Sequence, residues 1–158
     1  MADSPSAVNL LVPDFSAAVT GTIPFRLSAQ IGKKVVLYFY PKDNTPGCTA
    51  ESIQFRELYR QFEQANTVIF GVSRDSLRSH EGFKEKLAMQ FELISDPDEK
   101  LCGLFNVMKI KSMYGKSVRG VERSTFVIDA SGRLVKEWRG VKVPGHVDDV
   151  LKFVKALA

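Results

Sequence analysis

The sequence predicts an α/β sandwich built on a mixed sheet with an antiparallel edge. Short apolar, β-branched runs alternate with amphipathic helical stretches through most of the chain, and a hairpin plus a helix follow. No internal repeat, low-complexity tract or Gly/Ser linker interrupts this order. With 158 residues, near the rough prior of about 150 per domain, residues 1–158 are expected to form one domain, with residues 1–7 loosely ordered.

Each element has its own signal. Ile23-Pro24-Phe25-Arg26-Leu27 alternates and reads as a short early strand, and Lys33 to Tyr40 reads as a central strand buried on both faces. Phe55, Leu58, Tyr59 and Phe62 recur at helical spacing, predicting a helix over about 48–64. Thr67 to Ser73 is a second buried strand. Ser76 is a cap for a helix running through about Met89, with Phe83 and Leu87 on one face. Glu92 to Ser95 is a short strand, and Asp96-Pro97-Asp98-Glu99 reads as the start of a helix carrying Leu101, Leu104 and Phe105. Ser124–Ile128 and Leu134–Trp138 are strands joined by the hairpin signal Asp129-Ala130-Ser131-Gly132. Val147, Val150, Leu151 and Val154 mark a closing helix.

Composition removes several function classes. A content of 44% hydrophobic and 25% charged residues excludes wholesale disorder. The net charge of +4 is mild, so no nucleic-acid partner is expected. Lys109, Lys111, Lys116 and Arg119, with Met113 and Tyr114 between them, read as a solvated loop rather than a nucleic-acid patch. The longest uninterrupted apolar run, Val35 to Tyr40, falls far short of the roughly twenty residues of a membrane helix, and the N-terminus lacks the features of a secretory signal. No membrane partner is expected. The two cysteines, Cys48 and Cys102, form no CxxC pair, which fits a reducing cytoplasm.

Chemistry concentrates at Pro41-Lys42-Asp43-Asn44-Thr45-Pro46-Gly47-Cys48. This segment follows a buried strand and opens a long helix, placing Cys48 in the helix's first turn. There, unsatisfied N–H groups and the positive end of the helix dipole favour a thiolate. Pro41 and Pro46 fix backbone angles on both sides of the turn, and Gly47 removes a side chain that would crowd the sulfur. The Thr45 hydroxyl, three residues earlier, can point at the same spot. The competing reading is a small buried cysteine at a helix start.

The run Tyr38-Phe39-Tyr40-Pro41-Lys42-Asp43-Asn44-Thr45-Pro46-Gly47-Cys48-Thr49-Ala50-Glu51 resembles the peroxidatic-cysteine segment of the peroxiredoxins, most closely their Q-type, or bacterioferritin-comigratory, subfamily. Met113-Tyr114-Gly115 through Arg123-Ser124 to Asp129 resembles the family's arginine-bearing strand. The resemblance spans about residues 8–157. It implies a thioredoxin-like sandwich with a central mixed sheet and added N-terminal strands. It also implies a thiol-dependent peroxidase reducing hydrogen peroxide and organic hydroperoxides in antioxidant defence, with no cofactor. Cys48 would be the nucleophile that becomes a sulfenic acid. Thr45, the backbone around Gly47 and Cys48, and Arg123 would stabilise the departing oxygen, while Pro41 shields the sulfenic acid. Tyr40 would be pocket wall, beside Gly47 in the substrate-binding set.

The sequence departs from the family where a resolving thiol is expected. Position 53 is Ile53, and no cysteine lies in Glu81 to Ala88. Cys102, between Leu101 and Leu104, reads as a buried small hydrophobe and a disfavoured resolving thiol. A one-cysteine mechanism follows, with thioredoxin, glutaredoxin or a small-molecule thiol as reductant and a monomer or weak dimer as the working form. Glu51 and Asp43 read as acids that cap and solvate the loop–helix junction. His80 and His146 lack ligand-like spacing with the cysteines, so no metal site is expected. Two other classes compete: a Cys–His hydrolase using Cys48 and His146, and a binding module in which Cys48 is structural.

Overall fold

The computed structural model describes residues 8–157, so the expectation for residues 1–7 lies outside the described residues. The strands are β1 (Ser16–Val19), β2 (Phe25–Arg26), β3 (Lys34–Phe39), β4 (Thr67–Ser73), β5 (Glu92–Ser95), β6 (Met108–Met113), β7 (Lys116–Val121), β8 (Ser124–Ile128) and β9 (Leu134–Arg139). The helices are α1 (Pro46–Gln64), α2 (Leu77–Leu87), α3 (Lys100–Leu104) and α4 (His146–Ala156). Seven strands form one sheet in the order β2-β1-β5-β4-β3-β8-β9. The inner β3, β4 and β5 are parallel, and β8 and β9 continue the sheet antiparallel on one side. The added N-terminal strands β1 and β2 close the other edge, also antiparallel.

Strand β3 organises the molecule because all six of its residues are buried. Its alternation deals side chains to two cores. Val36, Tyr38 and Tyr40 face one core with Cys48, Phe55 and Phe62 of α1 and Val147, Val150 and Val154 of α4. Val35, Leu37 and Phe39 face the other, with Phe25, Leu101, Cys102, Phe105 and Phe126. Lys34 is buried because its Nζ donates to the carbonyls of Val154 and Leu157 at 2.7 Å each, satisfying orphan carbonyls at the end of α4. Gly71 of β4 is required by packing: a Cβ there would meet Tyr38 Cζ at 2.8 Å and Leu93 Cδ2 at 2.7 Å. The Tyr38 ring occupies that space and stacks on Phe55 at 4.5 Å between centroids.

Several expectations are corrected locally. The early strand Ile23–Leu27 shrinks to Phe25–Arg26, with Ile23 81% exposed in the connection from β1. The helix expected from residue 48 begins at Pro46, whose missing N–H is no loss at a first helical position. Ser76 caps α2 as expected by accepting from the Ser79 N–H, but the helix stops at Leu87, where Ala88 turns left-handed (φ 51°). The acids before α3 are not in its first turn, since Glu99 is left-handed (φ 61°). Instead, the Asp96 carboxylate reaches forward to accept from the N–H groups of Leu101 and Cys102. Leu104 is 45% exposed rather than core. The basic stretch is not a loop: β6 and β7 pair in register as a separate hairpin, turning at Tyr114 and Gly115, both at positive φ. No helix of the described residues is long and apolar enough to cross a membrane.

Candidate active site

The chain leaves β3 at its C-terminal end, crosses residues 40–45 and enters α1. Thr45 is the N-cap, in extended conformation, and Cys48 is the third helical residue, 1% exposed. By position, the N–H groups of Gly47 and Cys48 have no intrahelical acceptor, so they face the same end of the helix as the sulfur. Arg123 arrives from the opposite direction. Ser124 pairs with Phe39 across β3 and β8, which sets Arg123 one residue beyond, beside the end of β3. Its guanidinium forks there. Nη1 donates to Glu51 Oε1 at 2.7 Å and Nη2 to Cys48 Sγ at 3.4 Å.

Gly47 makes room for this fork. A Cβ at position 47 would sit 3.0 Å from Arg123 Nη2, so the side chain it would crowd is the arginine rather than the sulfur. The Thr45 hydroxyl donates to the Lys42 carbonyl at 2.8 Å, leaving its lone pairs as acceptors. Pro41 is exposed on the outside of the loop. Tyr40 is fully buried beneath it, stacked on Tyr38 at 5.5 Å, with its hydroxyl donating to Asp43 Oδ1 at 2.7 Å. Burial, with the neighbouring Tyr38 and the Asp43 charge, pushes its phenol well up, so it stays protonated.

Two acids expected to be solvated are buried. Glu51 is 0% exposed, and burial raises its carboxyl to about 7 although Arg123 pulls the other way. Asp43 is 4% exposed and anchors a network that sequence reasoning missed. It accepts from Tyr40, from the Ser79 hydroxyl at 2.8 Å and from His80 Nδ1 at 2.8 Å. These bonds outweigh the effect of burial and hold its carboxyl below the ordinary value. His80 Nε2 lies 3.0 Å from the Ile94 carbonyl, and the Asp43 N–H donates to Asp75. Through these contacts the His80 ring ties the loop of residues 40–45 to α2 and to β5. Asp43, Asp75 and His80 bring ligand-type atoms within 4.8 Å of one another, and the same groups share the hydrogen bonds above.

The remaining candidates lie elsewhere. Cys102 packs in the core on the other face of β3 from Cys48, and both cysteines are free. Burial and the Asp96 carboxylate push the Cys102 thiol well up, away from thiolate character. His146 Nε2 is 2.7 Å from the Thr125 hydroxyl, whereas the partner of Cys48 Sγ is Arg123.

The AhpC/TSA family model matches residues 8–137, a span containing Cys48, Glu51 and Arg123. This chain belongs to the AhpC/TSA family. It is 49% identical over 145 residues to Peroxiredoxin Bcp of Xanthomonas campestris pv. campestris, covering 92% of this chain and 91% of that protein. It is 50% identical over 133 residues to Peroxiredoxin Bcp of Bacillus subtilis, covering 84% and 85%. A solved structure of the Xanthomonas campestris bacterioferritin comigratory protein, described for its alkyl peroxide reduction activity, superposes with a TM-score of 0.86 at 48% identity over 90% of each chain. The expected kinship with the Q-type peroxiredoxins and the thioredoxin-like sandwich both hold. Membership in this AhpC/TSA branch implies a thiol-dependent peroxidase.

Proposed function

We propose that Cys48 is the peroxidatic cysteine, reducing hydrogen peroxide and organic hydroperoxides and returning to the thiol at the expense of an external thiol. The observation that carries this is the Arg123 guanidinium 3.4 Å from the sulfur of a cysteine that is almost wholly buried. A fixed, permanently charged donor there stabilises a thiolate, and it serves equally the negative charge that grows on the leaving oxygen. The thiolate attacks the terminal oxygen of the hydroperoxide, the O–O bond breaks, and Cys48 becomes a sulfenic acid while the other oxygen leaves as water or an alcohol after taking up a proton.

The other groups divide the work. The N–H groups of Gly47 and Cys48 and the Nη2 donor meet the departing oxygen. Thr45, already donating to Lys42, accepts from the hydroperoxide O–H and so orients the substrate rather than donating to it. Tyr38, Tyr40 and Phe55 pack in the same core as Cys48 and keep bulk water from that side of the sulfur; the family resemblance gives Pro41 the same duty on the loop side. Organic hydroperoxides are included because the Xanthomonas relative is described for alkyl peroxide reduction. Cys102 has the sheet between it and Cys48, which supports a one-cysteine cycle with thioredoxin, glutaredoxin or a small thiol as reductant. An antioxidant role goes with that reading, and two cysteines without a CxxC pair fit a reducing cytoplasm.

The test is intact-mass spectrometry after one equivalent of peroxide. A gain of one oxygen is expected on the native chain and none on Cys48→Ser, which should also lose turnover with every reductant. Turnover retained by Cys48→Ser would end the assignment.

A further inference from the structure

Arg123 carries one positive charge between two groups able to hold a negative one. Glu51 Oε1 accepts from Nη1 and Cys48 Sγ from Nη2, and both side chains are almost sealed from solvent, Glu51 at 0% and Cys48 at 1% exposure. Two anions against one guanidinium would leave a net buried charge, which an interior of low polarity disfavours strongly. The second carboxylate oxygen, Glu51 Oε2, is buried without a hydrogen-bond partner. A full carboxylate charge with no donor at that oxygen is costly in a buried site, and protonation removes the charge.

We propose that Glu51 and Cys48 ionise in turn, with Glu51 taking up the proton that the Cys48 thiol releases. In that step the S–H bond breaks, its electron pair stays on sulfur and the proton is bound at Oε2, so nothing is oxidised or reduced. Before it, thiol, carboxylate and guanidinium sum to zero charge; after it, thiolate, carboxylic acid and guanidinium also sum to zero. Thiolate is thereby formed in a dry pocket without a change in buried net charge. The raised Glu51 carboxyl, near 7, is in keeping with this exchange. The other titratable groups facing the site stay neutral at these pH values. Burial pushes the Tyr38 phenol well up, and burial holds His146, which faces Arg123, down to about 4. Glu51 is a positioning residue here, acting through charge on the thiolate rather than on substrate.

The exchange rests on the peroxidase reading only for the use made of the thiolate, because its test needs no peroxide. Thiolate absorbance is titrated in Glu51→Gln, with Cys48→Ser as the blank that removes any Cys102 signal. Glutamine keeps an acceptor for Nη1 and removes the competing charge. The midpoint is expected to fall by about one pH unit or more, and Glu51→Asp should restore the native midpoint. An unmoved or raised midpoint in Glu51→Gln would overturn the proposal. A second measurement uses proteins with Glu51 in place: the infrared stretch of a buried protonated carboxyl should persist to higher pH in the native chain than in Cys48→Ser. Identical profiles would equally overturn it. Failure of either test leaves turnover by Cys48 untouched, and loss of the peroxidase reading would leave both titrations interpretable.

Discussion

Alanine at position 47 should separate activity from stability. Gly47 has no positive φ, so its backbone accepts a side chain without strain. The new Cβ, however, would lie 3.0 Å from Arg123 Nη2 and 3.7 Å from its Cζ. Ordinary contacts between such atoms begin near ~3.5 Å, so the guanidinium must retreat by about 0.5 Å. That retreat moves Nη2 from 3.4 Å towards roughly 4 Å from Cys48 Sγ, the outer limit of a useful hydrogen bond to sulfur. Complete loss of one transition-state donor costs about 10²–10³ in rate, and a displacement of this size should cost about tenfold, or ~1.4 kcal/mol. Over the same substitution the unfolded chain loses freedom, so stability should rise by about 0.4–1 kcal/mol. Single-turnover peroxide consumption and the urea midpoint, measured on the same preparation, check both halves. Native-rate oxidation by Gly47→Ala would refute the reasoning. So would a rate loss matched by a fall in the midpoint, because the change would then act through folding rather than through Arg123.

Other expectations follow from the same contacts. Arg123→Lys should lower the second-order rate by about a hundredfold or more, since one ammonium cannot bridge Glu51 and Cys48 as the fork does; stopped-flow peroxide reduction measures it. Cys102→Ser should leave turnover with an external thiol unchanged, and a Cys48–Cys102 disulfide in peptide maps of the oxidised protein would contradict the separation of the two across the sheet. His146 is held at about 4, below its ordinary 6.5, first by burial. As pH falls the unfolded chain therefore binds this proton first. Stability present above 6.5 is lost as pH falls through 4, on the order of 3 kcal/mol in all. Unfolding free energies over that window should vary less in His146→Gln than in the native chain.

What could be read in the sequence was whatever local periodicity or a fixed spacing encodes. The run Val35 to Tyr40 declared itself a central strand because every position is apolar, and it lies between β4 and β8 with both faces covered. The segment from Pro41 to Cys48 announced a helix start with a cysteine in its first turn, because Pro, Thr and Gly act on the backbone within a few residues. Arg123, in contrast, was a candidate only through the family resemblance. Nothing within ten residues of it says that the pairing of Ser124 with Phe39 will carry it to the end of β3.

The tertiary structure decided the electrical character of the site. Glu51 and Asp43 are acids in a polar segment, and sequence alone placed them in water. Burial depends on what the rest of the chain packs over them, and here α2 brings Ser79 and His80 to Asp43 while the approach to β8 brings Arg123 to Glu51. The hairpin β6–β7 was missed for a related reason. Its turn uses Tyr114 and Gly115 rather than an Asn-Gly pair, and its strands alternate with charge, so only cross-strand pairing distinguishes it from a loop. Sequence by itself determined the central strand, the long helix after it and the candidate nucleophile Cys48 in that helix's first turn, because each is encoded over a few residues. Which charges that nucleophile meets, and how little water reaches them, is set by contacts between residues more than seventy positions apart, such as Glu51 with Arg123.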